Sequence, residues 1–439
     1  MTAALGATLR RIQLGNALAA FGNGFTMPYL FVYTSRVRDL GDTTAGAVLA
    51  VFAAAALAVL PFTGRVIDRR GPMPVAYLGA FAAAAGALGF GLSSTAPSVL
   101  ASAGLMGAGI AVLQPALATM IVRCSTTTTR SRAFATQFFL NNLGLGIGGL
   151  IGGLLVDDTS PSSFTLLFTV EATMFLVLAA VFSTVRLPAA PRADVVTGAG
   201  KAKPHGGWAV LLQDRSMVLL CVLGFVIFFA CYGQFESGLA AYAVEVSHVS
   251  TSTLGMALAA NTAVIVIAQF AVLKLVERQR RTRVIAFVGM IWTVAWLAAG
   301  ASGLVHGAQA VATALLISTY ALFGLGEALL SPTVAPLVAD LAPNRLVGQY
   351  NSAFALVKQL ALAVGPAVGG LMAAGGAFAA YIVMLVLCSI GVSVLALVLR
   401  RRLTSAQDLP YRASTVVASG EPADGVHRET GELETAGVR

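Results

Sequence analysis

Apolar residues in this chain run in blocks too long and too unbroken to be the buried stripes of soluble amphipathic helices. A bilayer-crossing helix needs about 20 mostly apolar residues. Twelve stretches qualify, near 12–34, 44–63, 74–94, 98–122, 134–156, 163–185, 216–243, 252–275, 284–303, 309–338, 349–374 and 377–399. Polar positions cluster in short connections between them. The exception is 186–215, rich in Pro, Gly, Ala and charge and lacking any apolar period, which predicts a linker between two six-helix halves.

Those halves repeat one another. Leu105-x-Gly107-x-Gly109-x-x-x-Leu113-x-Pro115 returns 217 positions later as Leu322-x-Gly324-x-Gly326-x-x-x-Leu330-x-Pro332. The same offset carries Gly148, Gly152 and Gly153 onto Gly365, Gly369 and Gly370. The predicted fold is an all-α membrane protein of twelve transmembrane helices in two six-helix parallel repeats, with a substrate path between the halves near the bilayer midplane. The expected divisions are an N-terminal half 1–185, a cytoplasmic linker 186–215, a C-terminal half 216–400, and an acidic, Ser/Thr/Gly-rich tail 401–439 that reads as disordered.

Composition agrees. With 57% hydrophobic and 11% charged residues and a mean hydropathy of +0.83, the chain is not an ordinary soluble globule. Lys and Arg flanking the spans favour the cytoplasmic side. Placing the N-terminus inside puts all but Arg36, Arg38 and Lys358 of the 28 basic residues there, and the C-terminus with them. The net charge of +9 then reports topology and attraction to anionic lipid headgroups, not nucleic-acid binding. Arg-for-Lys usage and abundant Ala point to a high-GC bacterium, so a multi-pass protein of the inner membrane is expected. The opening MTAALGATLRRIQLG lacks the pattern of a cleaved signal, which leaves segment 1 as the targeting element. Cys124, Cys221, Cys231 and Cys388 form no disulfide framework or metal-ligand spacing. His205, His248, His306 and His427 are scattered in loops and tail, and no phosphate-binding loop occurs. An enzyme, a metal, a cofactor and direct ATP drive are therefore not expected.

Between segments 2 and 3 stands Gly64-Arg65-Val66-Ile67-Asp68-Arg69-Arg70-Gly71-Pro72. It resembles the signature loop of the major facilitator superfamily, G-x-x-x-D-R-x-G-R-[RK], with Pro72 and Met73 replacing two basic residues. The resemblance implies a conformational latch: Gly64 lets helix 2 pack closely, Asp68 meets a helix dipole or an Arg across the seam between halves, and Arg69 neutralises and orients it, with Gly71 closing the motif. The loop between segments 8 and 9 keeps only an acid and a base, Glu277 and Arg278.

Segment 5 carries Gly144-x-x-x-Gly148-Gly149-x-x-Gly152-Gly153, which resembles the antiporter motif of the family's efflux members with Gly149 in place of Pro. Segment 11 carries Gly365-Pro366-x-x-Gly369-Gly370, with Ala361 at the first glycine. These small residues predict a close, moving contact between halves and favour export over import. Two family features are missing. Ala103 replaces the arginine that family exporters often carry in segment 4, and segment 1 offers Gln13, Asn16 and Asn23 but no acid.

Ionisable groups inside spans are expensive enough to be functional candidates. Glu236 in segment 7, Glu327 in segment 10 and Lys358 in segment 11 are expected to couple proton movement, Glu327 and Lys358 lying at similar depth and able to pair. Glu171 in segment 6 is expected to pack or snorkel. In the family, segments 1, 4, 7 and 10 line the cavity, which points to Asn16, Asn23, Gln114, Phe229 and Tyr232; the Phe225, Phe229 and Tyr232 face could hold a lipophilic cation. Gln137, Asn141, Asn261, Gln269 and Gln359 add polar groups within spans. The expected protein is a monomeric, proton-coupled exporter of small amphiphilic molecules, its partners being that substrate, protons and the bilayer. The alternative is a uniporter or importer of a sugar or other metabolite.

Overall fold

The computed structural model describes residues 3–157, 160–188, 207–235, 237–305 and 307–409. Glu236, most of the linker, His306 and the tail beyond 409 lie outside them, and so do the expectations placed on those residues.

Twelve long helices follow one another: α1 (Ala3–Thr26), α2 (Gly41–Arg70), α3 (Pro72–Leu92), α4 (Ala96–Arg123), α5 (Arg130–Leu155) and α6 (Pro161–Ser183). The second set is α7 (Arg215–Ala230), α8 (Thr251–Val276), α9 (Arg281–Ser302), α10 (Gln309–Leu330), α11 (Val347–Ala374) and α12 (Phe378–Arg400). Among the described residues, eleven of the twelve segments are long and apolar enough to cross a membrane by themselves. The twelfth, α1, carries Arg10, Arg11, Gln13, Asn16 and Asn23 and joins the bundle by packing on α5 and α6.

Local chemistry sets the helix ends. Gly71, at φ +85°, stops α2, and Pro72 opens α3 where its missing N–H costs nothing. Thr95 and Ser98 form a capping box on α4, and the Asp214 side chain caps α7 through the N–H groups of Ser216 and Met217.

Two segments read as continuous are broken. Segment 7 stops at Ala230, makes a single tight turn over Tyr232–Gln234 and resumes as Gly238–Glu245. Segment 10 stops at Leu330 and resumes as Val334–Leu341. Pro332 cannot donate to the carbonyl four residues before it, that of Ala328, and Gln269 Nε2 of α8 donates to that carbonyl instead at 3.3 Å. Gln234 Nε2 likewise donates to the Phe229 carbonyl at 2.9 Å in the other break. Pro115, the repeat partner of Pro332, sits inside an unbroken α4.

Each half has its own apolar core. One is built on Phe90, Phe164, Phe168, Phe175 and Phe182, the other on Trp292, Trp296, Tyr320, Phe323 and Tyr381. The halves meet where α2 packs on α11 and α5 on α8. The glycine motifs lie elsewhere, against expectation. A side chain at Gly144 or Gly148 would collide with the backbone of Ala17 or Phe21 on α1, and one at Gly365 or Gly369 with Gly233 or Gly238. Both motifs thus seat helices within a half, while Gly149 and Gly370 have room to spare.

The tail also starts later than expected. Ser405–Asp408 is a helical turn, and buried Asp408 accepts from the Thr282 N–H at 2.9 Å and its hydroxyl at 3.0 Å, capping α9. At the linker's end, Gly207–Gln213 is helical because its Trp-Ala-Val-Leu-Leu run is apolar, and Trp208 Nε1 donates to the Pro61 carbonyl at 3.1 Å.

Candidate functional site

Between the halves lies a cavity of about 520 Å³, walled by α1, α2, α4 and α5 on one side and α7, α10 and α11 on the other. The 217-residue repeat relates the walls: Ile110 pairs with Glu327, Asn141 with Lys358, Gln137 with Phe354 and Asn142 with Gln359, and all eight line the cavity. The polar groups of the otherwise apolar N-terminal wall are amides. Asn16 Nδ2 donates to Asn141 Oδ1 at 3.1 Å, Asn142 Nδ2 donates to the Phe138 carbonyl at 2.9 Å, and both amide atoms of Gln137 are buried with no hydrogen-bond partner among the described residues.

The C-terminal wall carries the charge. Glu327 is 3% exposed, and its Oε1 accepts from Asn261 Nδ2 of α8 at 2.9 Å. Lys358 Nζ stands 5.1 Å from the centre of the Phe228 ring, which in turn meets Tyr232 and Phe354 at 5.2 and 6.1 Å between centroids. The four ion pairs within 4.0 Å among the described residues do not include Glu327 with Lys358, so the two are not a static salt bridge.

Of the cavity residues expected from sequence, Asn16, Gln114 and Tyr232 line it. Phe229 and Asn23 do not. Phe229 is 8% exposed and stacks on Phe225 inside the C-terminal core. Phe228, four residues before Tyr232, takes the lining place. Asn23 Oδ1 is buried without a hydrogen-bond partner among the described residues. Glu171 does not snorkel: it is fully buried, and its Oε2 accepts from Thr26 Oγ1 at 2.8 Å.

At the arginine-rich face the halves are tied together. Asp68 reaches the first turn of α11, accepting from the Gly348 N–H at 2.6 Å and from the Gln349 N–H and Nε2 at 3.0 Å each. This is an anion on a helix N-terminus, with its unpaired N–H groups and positive dipole end. A side chain at Gly64 would strike the Gln349 backbone, so glycine permits the approach. Arg69 is exposed and is not among the hydrogen-bond partners of Asp68; the charge of Arg123 at the end of α4 makes a smaller, favourable contribution to ionised Asp68 than those hydrogen bonds do. In the other loop Glu277 pairs with Arg132 of α5 at 3.3 Å, while Arg278 is exposed. A stronger cluster escaped the sequence reading. Asp340 bonds Arg281 at 2.6 Å and also pairs with Arg130, joining the two halves. The signal was in the repeat, since the offset of 217 sets Asp340 opposite Arg123.

The model of the Major Facilitator Superfamily matches residues 12–361. The chain belongs to that superfamily. YdeE of Escherichia coli, named as an uncharacterized transporter of the superfamily, is 23% identical over 363 residues, covering 81% of this chain and 86% of YdeE. Multidrug resistance protein 1 of Bacillus subtilis is 29% identical over 177 residues, 40% of this chain and 44% of that protein. Among solved structures, the E. coli fucose:proton symporter FucP superposes with a TM-score of 0.72 over 91% of this chain and all of its own, at 16% identity, a likeness of fold. The protein is a multi-pass membrane transporter of small molecules and not an enzyme.

Proposed function

We propose that this superfamily member exports small amphiphilic compounds in exchange for protons across a bacterial inner membrane, with both termini in the cytoplasm. The observation that carries the reading is Glu327, a carboxylate set into the wall of the central cavity beside aromatic rings. Such a group is expensive to hold within a span, which makes it a candidate for function. A proton and a substrate that both need Glu327 exclude one another, which is the requirement for exchange. The relative named multidrug resistance protein 1 supports efflux.

Alternating access follows from two six-helix halves, 1–185 and 216–400, that rock about the cavity with 186–215 joining them. The contacts of Asp68 and Glu277, with Gly64 and Gly71 shaping the first loop, act as the latch for one of the two conformations. A second reading, uptake of a sugar or another polar metabolite, draws on the amide wall of Asn16, Gln114, Gln137, Asn141 and Asn142.

Proteoliposomes loaded with a pH-sensitive dye test the choice. Addition of amphiphiles to the substrate-loading side should release protons from the opposite compartment in the wild type and not in Glu327→Gln. Proton movement along with a sugar, and none with amphiphiles, would replace export by uptake.

A further inference from the structure

The two cavity walls are equivalent by the repeat and unlike in charge. Ile110 and Asn141 on one wall stand where Glu327 and Lys358 stand on the other, so both ionic groups belong to the C-terminal half. An acid and a base that share a desolvated cavity ordinarily close on each other, since each is costly alone. Here they are held apart by more than a salt-bridge distance. Asn261 draws the Glu327 carboxylate toward α8, and Lys358 rests over the face of Phe228. Both still line the same cavity. Across from them Gln137 offers an amide donor and acceptor with no partner among the described residues.

Resting on the reading of this cavity as the transport site, we infer that it is built for zwitterionic amphiphiles. The ligand class is a small molecule with one ammonium group, one carboxylate and an aromatic body. The ammonium group binds the Glu327 carboxylate, and the carboxylate binds Lys358 Nζ, with Gln137 in reach of either polar end. The ring stacks among Phe228, Tyr232 and Phe354. A simple lipophilic cation meets Lys358 as a like charge, and a simple anion meets Glu327 as one; only the zwitterion satisfies both. Protonating Glu327 cancels the hold on the ammonium group and leaves the Lys358 contact, so proton and substrate compete at one carboxylate. The ligand adds no net charge to the cavity.

Four probes on one aromatic body test this with purified full-length protein: naphthylalanine, its methyl ester, its N-acetyl derivative and the N-acetyl methyl ester. They are zwitterion, cation, anion and neutral molecule in turn. Equilibrium binding is read from probe fluorescence. Naphthylalanine should bind about tenfold tighter than either singly charged probe, the effect of one charge-assisted contact. Lys358→Gln should make naphthylalanine and its ester equal, and Glu327→Gln should make naphthylalanine and its N-acetyl derivative equal. Wild-type preference for the ester overturns the inference and leaves the exporter reading intact. Binding of none of the four, in protein whose unfolding temperature is normal, overturns both.

Discussion

Arg132 and Gln349 occupy equivalent positions of the two repeats, and each is gripped by an acid from the opposite half: Glu277 holds Arg132 at 3.3 Å and Asp68 holds Gln349 at 3.0 Å. Ancestral symmetry thus survives in the contact although the sequences of the two loops differ. Behind these contacts the charges are exchanged. The charge of Arg123 at the end of α4 favours ionised Asp68, whereas Asp340 at the equivalent place in segment 10 pairs with Arg281 at the start of α9. Either arrangement balances charge where the halves meet.

Among the described residues, Asp340 is the acid within salt-bridge distance of both Arg130 and Arg281. The side chains of Arg281 and Arg130 are 3% and 11% exposed and that of Asp340 is 6% exposed. Removing one member of a buried network leaves the others uncompensated, at about 3 kcal/mol. Asp340→Asn should therefore lower the unfolding temperature in detergent by several degrees, and combining it with Arg281→Met should restore part of the loss. An unchanged midpoint in Asp340→Asn would mean the cluster is well hydrated.

Asp68→Asn keeps the size of the side chain and removes its charge from the first turn of α11. Charge-assisted bonds of this kind contribute about 2 kcal/mol, and on the proposed latch they hold one of the two conformations. Transport should slow about tenfold while substrate binding stays within about twofold. Arg123→Gln should slow transport more than Arg69→Gln, because Arg69 points to solvent. The opposite order, in matched transport assays, would return Arg69 to the role the sequence motif suggests.

The span pattern, the repeat and the loop motif were legible because each is written in residue type and spacing alone. Twenty apolar residues in a row, or a glycine pattern returning at one offset, need no third dimension. What escaped was set by rotation and by partners distant in sequence. Phe228 and not Phe229 enters the cavity wall because packing against neighbouring helices decides which face of α7 meets the cavity, and the aromatic spacing along segment 7 does not name that face. Lys358 and Glu327 line one cavity, yet the first rests over Phe228 and the second bonds Asn261, and they do not bridge. The glycine motifs were legible as close contacts but not as contacts within one half, since small residues do not say which neighbour approaches.

Gly148 supplies a packing test in which function is not needed as the readout. An added methyl group there meets the Phe21 carbonyl of α1, backbone that cannot move aside, whereas nothing lies within 4 Å of a side chain at Gly370. Overpacking a well-filled contact costs about 1–3 kcal/mol. Gly148→Ala should reduce the yield of monodisperse protein on size exclusion, and Gly370→Ala should match the wild type. Equal yields would show that α1 can shift along α5.

Glu327→Gln isolates the proton. The amide keeps the size of the side chain and its contact to Asn261 but can neither release a proton nor hold an ammonium group by charge. In the wild type, protonation removes the negative charge that the substrate needs, so binding should weaken as pH falls and recover as it rises. In Glu327→Gln the affinity should be low at every pH, with no slope, and substrate movement should no longer carry protons in proteoliposomes. Counterflow, the exchange of labelled for unlabelled substrate without a gradient, should survive in the variant, since it needs only that the loaded transporter turn around. A variant that keeps both the pH slope and proton flux would remove Glu327 from coupling; one that loses counterflow as well would make it a residue of folding or binding alone.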